Sequence, residues 1–202
     1  MQAVTKKAAT GIQLLRRPAV FMVEDDDAAA AQECLAGNGQ AFTRLVERYE
    51  RPVYNVALRM LRNPEDARDV SQTVFLKAYQ GLEKYDPQYK FYSWIYRIAI
   101  NESLNVLRLR SREAGPVDDQ VPSGDPGPAE SLAEDSTQRE VADAIEHLKP
   151  DYRAVIVLKY IADRSYEEIA EILGIEVKTV RSRLFTARQA MKDRLSARGV
   201  LE

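Results

Sequence analysis

The chain has 202 residues, 45% of them hydrophobic and 30% charged, with a formal net charge of -2; this is the composition of a soluble folded protein with room for one large or two small domains. No run of roughly eighteen or more apolar residues occurs, which excludes a membrane-spanning helix. The single cysteine, Cys34, excludes an internal disulfide and a cysteine-built zinc site, and the single histidine, His147, leaves few ways to build a histidine-activated nucleophile or a histidine-rich metal site.

The small net charge hides a segregation. Residues 1–35 carry -1, residues 36–112 carry +5, residues 113–140 carry -7 and residues 141–202 carry +1. Binding of a polyanion follows local potential rather than total charge, so a nucleic-acid partner stays open.

Taken in order, residues 1–29 read as an N-terminal extension, expected to be disordered. Lys6, Lys7, Arg16 and Arg17 surround a short apolar patch with no signal-peptide pattern after it. Met22 is an alternative start, just before the acidic run Glu24-Asp25-Asp26-Asp27, which suits a helix N-terminus. A first helical domain is expected over 30–112. A short helix covers 28–36 and stops at Gly37-Asn38-Gly39. Residues 40–61 place Phe42, Leu45, Val46, Tyr49, Val53, Val56, Ala57 and Met60 at spacings of three and four, one apolar helix face. Asn63-Pro64-Glu65-Asp66 starts the next helix, with Asn as cap, Pro at the first position and acids in the first turn; it buries Val70, Val74, Phe75 and Ala78 and ends at Gly81. A loop through Pro87 leads to a fourth helix over about 91–110, where Trp94, Ile95 and Ile98 pack inside.

Residues 113–136 form an acidic linker, holding four of the nine prolines, three glycines, seven acids and no Lys or Arg. Self-repelling charge and few apolar groups cannot offset the entropy of ordering, and at about 3 Å per residue the segment reaches about 70 Å. The second domain, 137–202, opens with a helix over 137–147, where His147 is read as structural. Pro150 starts another, Ser165-Tyr166-Glu167-Glu168 is a capping box, Gly174 stops the short helix that follows, and a last helix runs over about 177–197. No period-two segment competes, so the fold class is all-α: two small helical domains joined by a flexible acidic linker.

Three constellations carry function. The last two helices match a helix-turn-helix: Ala170 is small at the crossing, Gly174 permits a left-handed turn, and Val180 packs the second helix on the first. That second helix is basic, with Lys178, Arg181, Arg183, Arg188, Lys192, Arg194 and Arg198 against one acid, Asp193. A positive helix after a capped short one fits the major groove, with Arg181 and Ser182 in reach of base edges and the other cations on phosphates. The second constellation is aromatic: Tyr85, Tyr89, Phe91, Tyr92, Trp94 and Tyr96 fall within twelve residues, interleaved with Lys84, Lys90 and Arg97. A core does not need four tyrosines beside a loop, whereas unpaired bases are held by stacking on aromatic rings over a basic surface. Downstream, Arg97, Asn101, Asn105, Arg108 and Arg112 form one polar, basic helical stripe. The third is the acidic helix start from Glu65 to Phe75, whose plainest reading is a favourable interaction with the helix dipole.

The set resembles the bacterial extracytoplasmic-function (ECF) sigma factors of RNA polymerase. The resemblance lies in Phe42–Tyr49, in Asp66-Ala-Arg-Asp69-Val-Ser-Gln72, in Phe91-Tyr-Ser-Trp94-Ile-Tyr-Arg97-Ile-Ala-Ile-Asn101, in Ser165–Gly174 and in Thr179-Val-Arg-Ser-Arg183. It implies that 30–112 is sigma region 2 and 137–202 is sigma region 4. Asp66, Asp69, Gln72 and Phe75 would dock on the β′ clamp helices of core RNA polymerase. Tyr85, Lys90, Tyr92, Arg97 and Asn101 would read and melt the −10 element as a single strand, with Tyr85 and Asn101 at a flipped base. Lys178, Thr179, Arg181, Ser182, Arg183 and Phe185 would read the −35 element of promoter DNA as duplex, while the first helices of region 4 meet the β flap. The linker would thread toward the polymerase channels.

Three positions depart from the family pattern. Thr73 stands where Glu is frequent and Arg68 where an acid is, which lowers negative charge on the docking helix. Phosphorylation of Thr73 by a Ser/Thr kinase would restore that charge, making Thr73 a candidate phosphosite. Thr186 stands where a basic residue is frequent. The resemblance implies no cofactor, no metal, no catalysis, a cytoplasmic location and an anti-sigma factor as a further partner. A stand-alone helix-turn-helix regulator of duplex DNA is the alternative; an adaptor that only sequesters polymerase is a second, and an enzyme a third. Neither of the first two uses the tyrosine cluster.

Overall fold

The structure is a computed structural model that describes residues 25–113 and 136–200. The expected N-terminal extension up to residue 24 and nearly all of the expected linker lie outside the described residues. Within them the chain forms eight α-helices and one short 3-10 turn, with no strand, in two compact units.

The first unit holds α1 (Asp25–Leu35), α2 (Gly39–Leu61), α3 (Pro64–Gln80), the 3-10 turn Leu82–Lys84 and α4 (Phe91–Glu113). Helix α2 is the central element, and α1, α3 and α4 pack on it. Its stripe of Phe42, Leu45, Tyr49, Val53, Val56 and Met60 is buried, as the periodicity predicts, and the helix runs on through Pro52, whose cost of about 3 kcal/mol in a helix interior this burial offsets. The turn from α2 to α3 runs through Arg62, in the left-handed region at φ 54° with its N–H on the Leu58 carbonyl. Asn63 then caps α3, its side-chain oxygen accepting from the backbone N–H groups of Glu65 at 2.8 Å and Asp66 at 3.1 Å. At the far end a Cβ on Gly81 would lie 3.0 Å from the Lys77 carbonyl oxygen, closer than an ordinary contact, so glycine fits there without displacing the last turn.

The acidic lead-in does more than favour a helix dipole. Asp27 is buried; one carboxylate oxygen accepts from the Tyr49 hydroxyl and the other from Arg48, while Arg48 also reaches Asp26 at 3.1 Å. Tyr49 stacks 5.4 Å from Phe91, so an acid of α1 is joined through α2 to the start of α4.

The second unit holds α5 (Ser136–Glu146), α6 (Pro150–Tyr160), α7 (Tyr166–Leu173) and α8 (Val177–Ala197). Helix α8 is its spine: α5, α6 and α7 all pack on it, over Val180, Leu184, Ala187, Met191 and Leu195. Helix α6 is buried from Arg153 to Leu158. His147 is exposed rather than set among apolar side chains. Its Nδ1 donates to the Asp143 carbonyl at 2.9 Å and its Nε2 accepts from Arg194 at 2.7 Å, so it links α5 to α8. Trp94 and Ile98 are half-buried while Ile95 is buried.

Candidate nucleic-acid and polymerase interfaces

In the second unit the helix-turn-helix is built as its sequence signals require. The Ser165 hydroxyl accepts from the Glu168 N–H at 3.1 Å and the Glu168 carboxylate accepts from the Ser165 N–H at 2.5 Å, a complete capping box. Gly174 ends α7 at φ 65°, ψ 37°, with its N–H on the Ala170 and Glu171 carbonyls. Ala170 and Val180 are both buried at the crossing. This fixes where α8 starts and how it packs on α7.

The cations of α8 do not all face outward. Arg188 donates to the hydroxyls of Tyr160 at 3.0 Å and Tyr166 at 3.1 Å, and its guanidinium lies over the Tyr160 ring. Arg194 donates to Asp143 at 2.9 Å, and Arg198 to Glu140 and Asp143 at 2.8 and 2.9 Å. Arg183 pairs with Asp151 at 3.2 Å. Lys178, Ser182 and Phe185 are exposed on the face opposite the buried stripe, with Arg181 exposed at one margin of that face and, at the other, Thr186 exposed and Thr179 half-buried. Of the six residues expected to read duplex DNA, four therefore lie together and Thr179 and Arg183 flank them. Burial alone would raise the Asp143 carboxyl, but the hydrogen bond and charge of Arg194, with His147 and Arg198 beside it, hold it below the usual range. Asp143, Glu146 and His147 bring donor atoms within 4.8 Å of one another; Arg194 already sits on two of them, so the cluster is neutralised by a guanidinium and does not fit a metal ion.

In the first unit the structure corrects the tyrosine reading. Tyr85 and Tyr92 are not surface rings: they are only 7% and 4% exposed, and Tyr96 is buried too. The Tyr85 ring packs 5.4 Å from both Phe91 and Trp94, and its hydroxyl donates to the Tyr89 carbonyl at 2.8 Å. Burial, with the carboxylates of Asp27 and Asp86 adding to it, raises its pKa. A tyrosine whose hydroxyl finds a backbone acceptor loses little by burial and gains ring contacts of about 0.5–1.5 kcal/mol each. Tyr89, at 55% exposure, is the ring left facing solvent in the loop. Beside it Lys90, Arg97 and Asn101 are exposed, and Asn105, Arg108 and Arg112 continue the exposed stripe along α4.

On α3 the expected docking residues separate. Asp69 and Gln72 are exposed, Thr73 and Phe75 are half-buried, and Asp66 is drawn aside into an ion pair with Arg110 that ties the start of α3 to the end of α4. Leu76 and Tyr79, both exposed, extend the Asp69–Gln72 line at helical spacing, and Tyr79 stands edge-on to Phe42 at 5.1 Å. Sequence reasoning passed over this apolar pair. Its signal was available: neither residue fits the buried positions Val70, Val74 and Ala78.

Comparison with known proteins agrees with this layout. Residues 45–113 match the Sigma-70 region 2 family and residues 138–191 the Sigma-70 region 4 family. The chain is 36% identical over 160 residues to the ECF RNA polymerase sigma factor SigE of Mycolicibacterium smegmatis, covering 77% of this chain and 62% of that one. It is 31% identical over 188 residues to the RNA polymerase sigma-H factor of Pseudomonas aeruginosa, covering 87% of this chain and 96% of that one. A solved structure of CnrH in complex with the cytosolic domain of CnrY has 28% sequence identity and a TM-score of 0.66, covering 85% of this chain and 98% of that one. No described helix is long and apolar enough to cross a membrane. With a region 2 unit, a region 4 helix-turn-helix and a relative matched along nearly its whole length, the chain belongs to the ECF sigma factors, which direct RNA polymerase in transcription initiation.

Proposed function

We propose that the two units divide the reading of a promoter. The second unit grips the −35 element as duplex, with Lys178, Arg181, Ser182 and Phe185 in the major groove and Thr179 and Arg183 at its edge. The first unit holds the opened −10 strand along Lys90, Arg97 and Asn101. Tyr89 is the stacking ring, and Tyr85 and Tyr92 act from beneath it by shaping the loop. Core RNA polymerase docks through the β′ clamp helices on Asp69, Gln72, Leu76 and Tyr79, with Phe75 behind them, and region 4 meets the β flap. Binding energy alone drives strand opening, with no cofactor and no chemistry at this subunit, and the work is done in the cytoplasm beside the polymerase. An anti-sigma factor is the proposed regulator; the similar protein CnrH is solved in complex with the cytosolic domain of another protein, CnrY. Phosphorylation at Thr73 is the proposed second control, which mass spectrometry of the protein from its host tests.

The observation that carries this reading is one chain presenting two different polar faces. One is the outward face of a capped helix-turn-helix, and the other is a basic α4 stripe beside an exposed ring. A regulator of duplex DNA acting alone needs only the first. Run-off transcription with core polymerase decides: a promoter-specificity subunit starts discrete transcripts, and a stand-alone repressor or activator starts none. Tyr89→Ala is expected to shorten open-complex lifetime with closed-complex affinity kept, since stacking contributes about 1–3 kcal/mol per base. Unchanged lifetime would remove Tyr89 from the single-strand surface.

A further inference from the structure

We propose that Asp151 is a built-in counter-charge that competes with a DNA phosphate for Arg183, and so sets how tightly the second unit grips the duplex backbone. This rests on the reading of α8 as the DNA-facing helix.

The geometry singles out this pair. With 3.6 residues per turn, Arg183 falls beside the buried stripe of Val180 and Leu184 rather than opposite it, on the side facing α6. There its guanidinium meets Asp151 in the first turn of α6 at 3.2 Å. The other ion pairs of α8 and its cap keep the acid inside: Asp143 and Glu140 are each less exposed than the arginines that cover them. Asp151 reverses the order, its side chain 59% exposed against 27% for Arg183. An anion approaching Arg183 from solvent therefore meets a carboxylate first. A helix-turn-helix places its flanking side chains against the phosphates on either side of the groove, which puts Arg183 in reach of the backbone and not of base edges.

The pair is built to exchange. An ion pair this exposed is weakly held and screened by salt. The planar guanidinium offers a fork of donors that suits a phosphate as well as a carboxylate. On docking, Arg183 leaves Asp151 for a phosphate oxygen, so each phosphate contact at this position is made against the competing carboxylate. An acid in the first turn of a helix is also favourable to the helix dipole, and that role by itself predicts no link between Asp151 and Arg183 in DNA binding.

The test is a double-mutant cycle on the full-length chain with Asp151→Asn, Arg183→Gln and the pair together, all checked for helix content. The probe is a mixed-sequence DNA duplex of about twenty base pairs, two helical turns, followed by fluorescence anisotropy from about 50 to about 200 mM salt. Mixed sequence is sufficient because a phosphate contact carries no base information. Asp151→Asn is expected to tighten binding about fivefold to tenfold near 0.1 M salt and to steepen the salt slope by up to about 0.9, because the phosphate contact of Arg183 no longer frees a carboxylate that takes up a cation as the phosphate releases one. In the Arg183→Gln background the same change is expected to do nothing. Equal tightening in both backgrounds would overturn the proposal in favour of general charge repulsion, and no tightening, or weakening, by Asp151→Asn would overturn it outright. If neither the parent chain nor any variant binds duplex, the reading of α8 itself fails, a different outcome from parental binding that ignores Asp151.

Discussion

Tyr49→Phe tests what holds the first unit together. The Tyr49 side chain is buried, and its hydroxyl donates to Asp27, also buried, whose second oxygen accepts from Arg48. Phenylalanine keeps the ring and its 5.4 Å contact with Phe91, so no cavity term enters. The loss is one hydrogen bond to a charged group in the interior, about 1.5–3 kcal/mol. Asp27→Asn keeps the shape and an acceptor for Tyr49 but turns its Nδ2 donor toward the Arg48 guanidinium, so its expected cost at neutral pH is at least as large, about 1.5–3 kcal/mol. The reporter is Trp94, the single tryptophan of the chain, which lies 5.6 Å from Phe91 and 5.4 Å from Tyr85. Its fluorescence in urea titrations reports the first unit alone. Burial raises the Asp27 pKa against the opposing pull of Tyr49 and Arg48, so the folded state binds this proton more tightly than the unfolded chain does. The parent is therefore expected to gain stability relative to Asp27→Asn as pH falls through the raised folded value, with the gain complete below the unfolded value of about 3.9. A cost below about 0.5 kcal/mol for Tyr49→Phe, under the ordinary range for a buried hydrogen bond, would refute the anchor. So would a pH trend of the opposite sign.

Other expectations follow from the second unit. Gly174→Ala meets no atom within 4 Å of the new Cβ, so its cost is the left-handed backbone alone, about 1–2 kcal/mol; calorimetry should show Tm lower by about 4–16 °C, and Gly174→Asn should lose less. Asp143 has a lowered pKa, so its contribution is present above the unfolded value of about 3.9 and is lost as pH falls from there through the lower folded value. Asp143→Asn should destabilise the unit at neutral pH and flatten its acid-unfolding limb in circular dichroism. Arg181→Ala should reduce discrimination at one position of the −35 element by about 1–3 kcal/mol, measured by competition between promoter duplexes.

Much of the architecture is written locally. The cap at Asn63, the capping box at Ser165, the stop at Gly81 and the left-handed Gly174 each depend on residues within four positions of one another, and the structure has all of them where the sequence places them. The all-α class followed from the same signals, because period-three-and-four faces leave no room for strands. The candidate surfaces were less legible. Asp66 looked like a surface acid until Arg110, 44 residues on, claimed it. The seven cations from Lys178 to Arg198 looked like one charged rod, yet Asp143 and Glu140 neutralise the last two across separations of 51 and 58 residues.

The sequence by itself determined the helices, their ends, the turn that presents α8 and the family to which the chain belongs. Tertiary structure alone decided which members of each like-looking set face outward: Tyr89 rather than Tyr85 or Tyr92, Asp26 rather than Asp27, Arg181 rather than Arg188. Helix ends are set by hydrogen bonds between near neighbours, whereas tyrosine, arginine and aspartate can satisfy their polar groups in water or inside the protein. Which happens depends on what distant segment the fold brings against them.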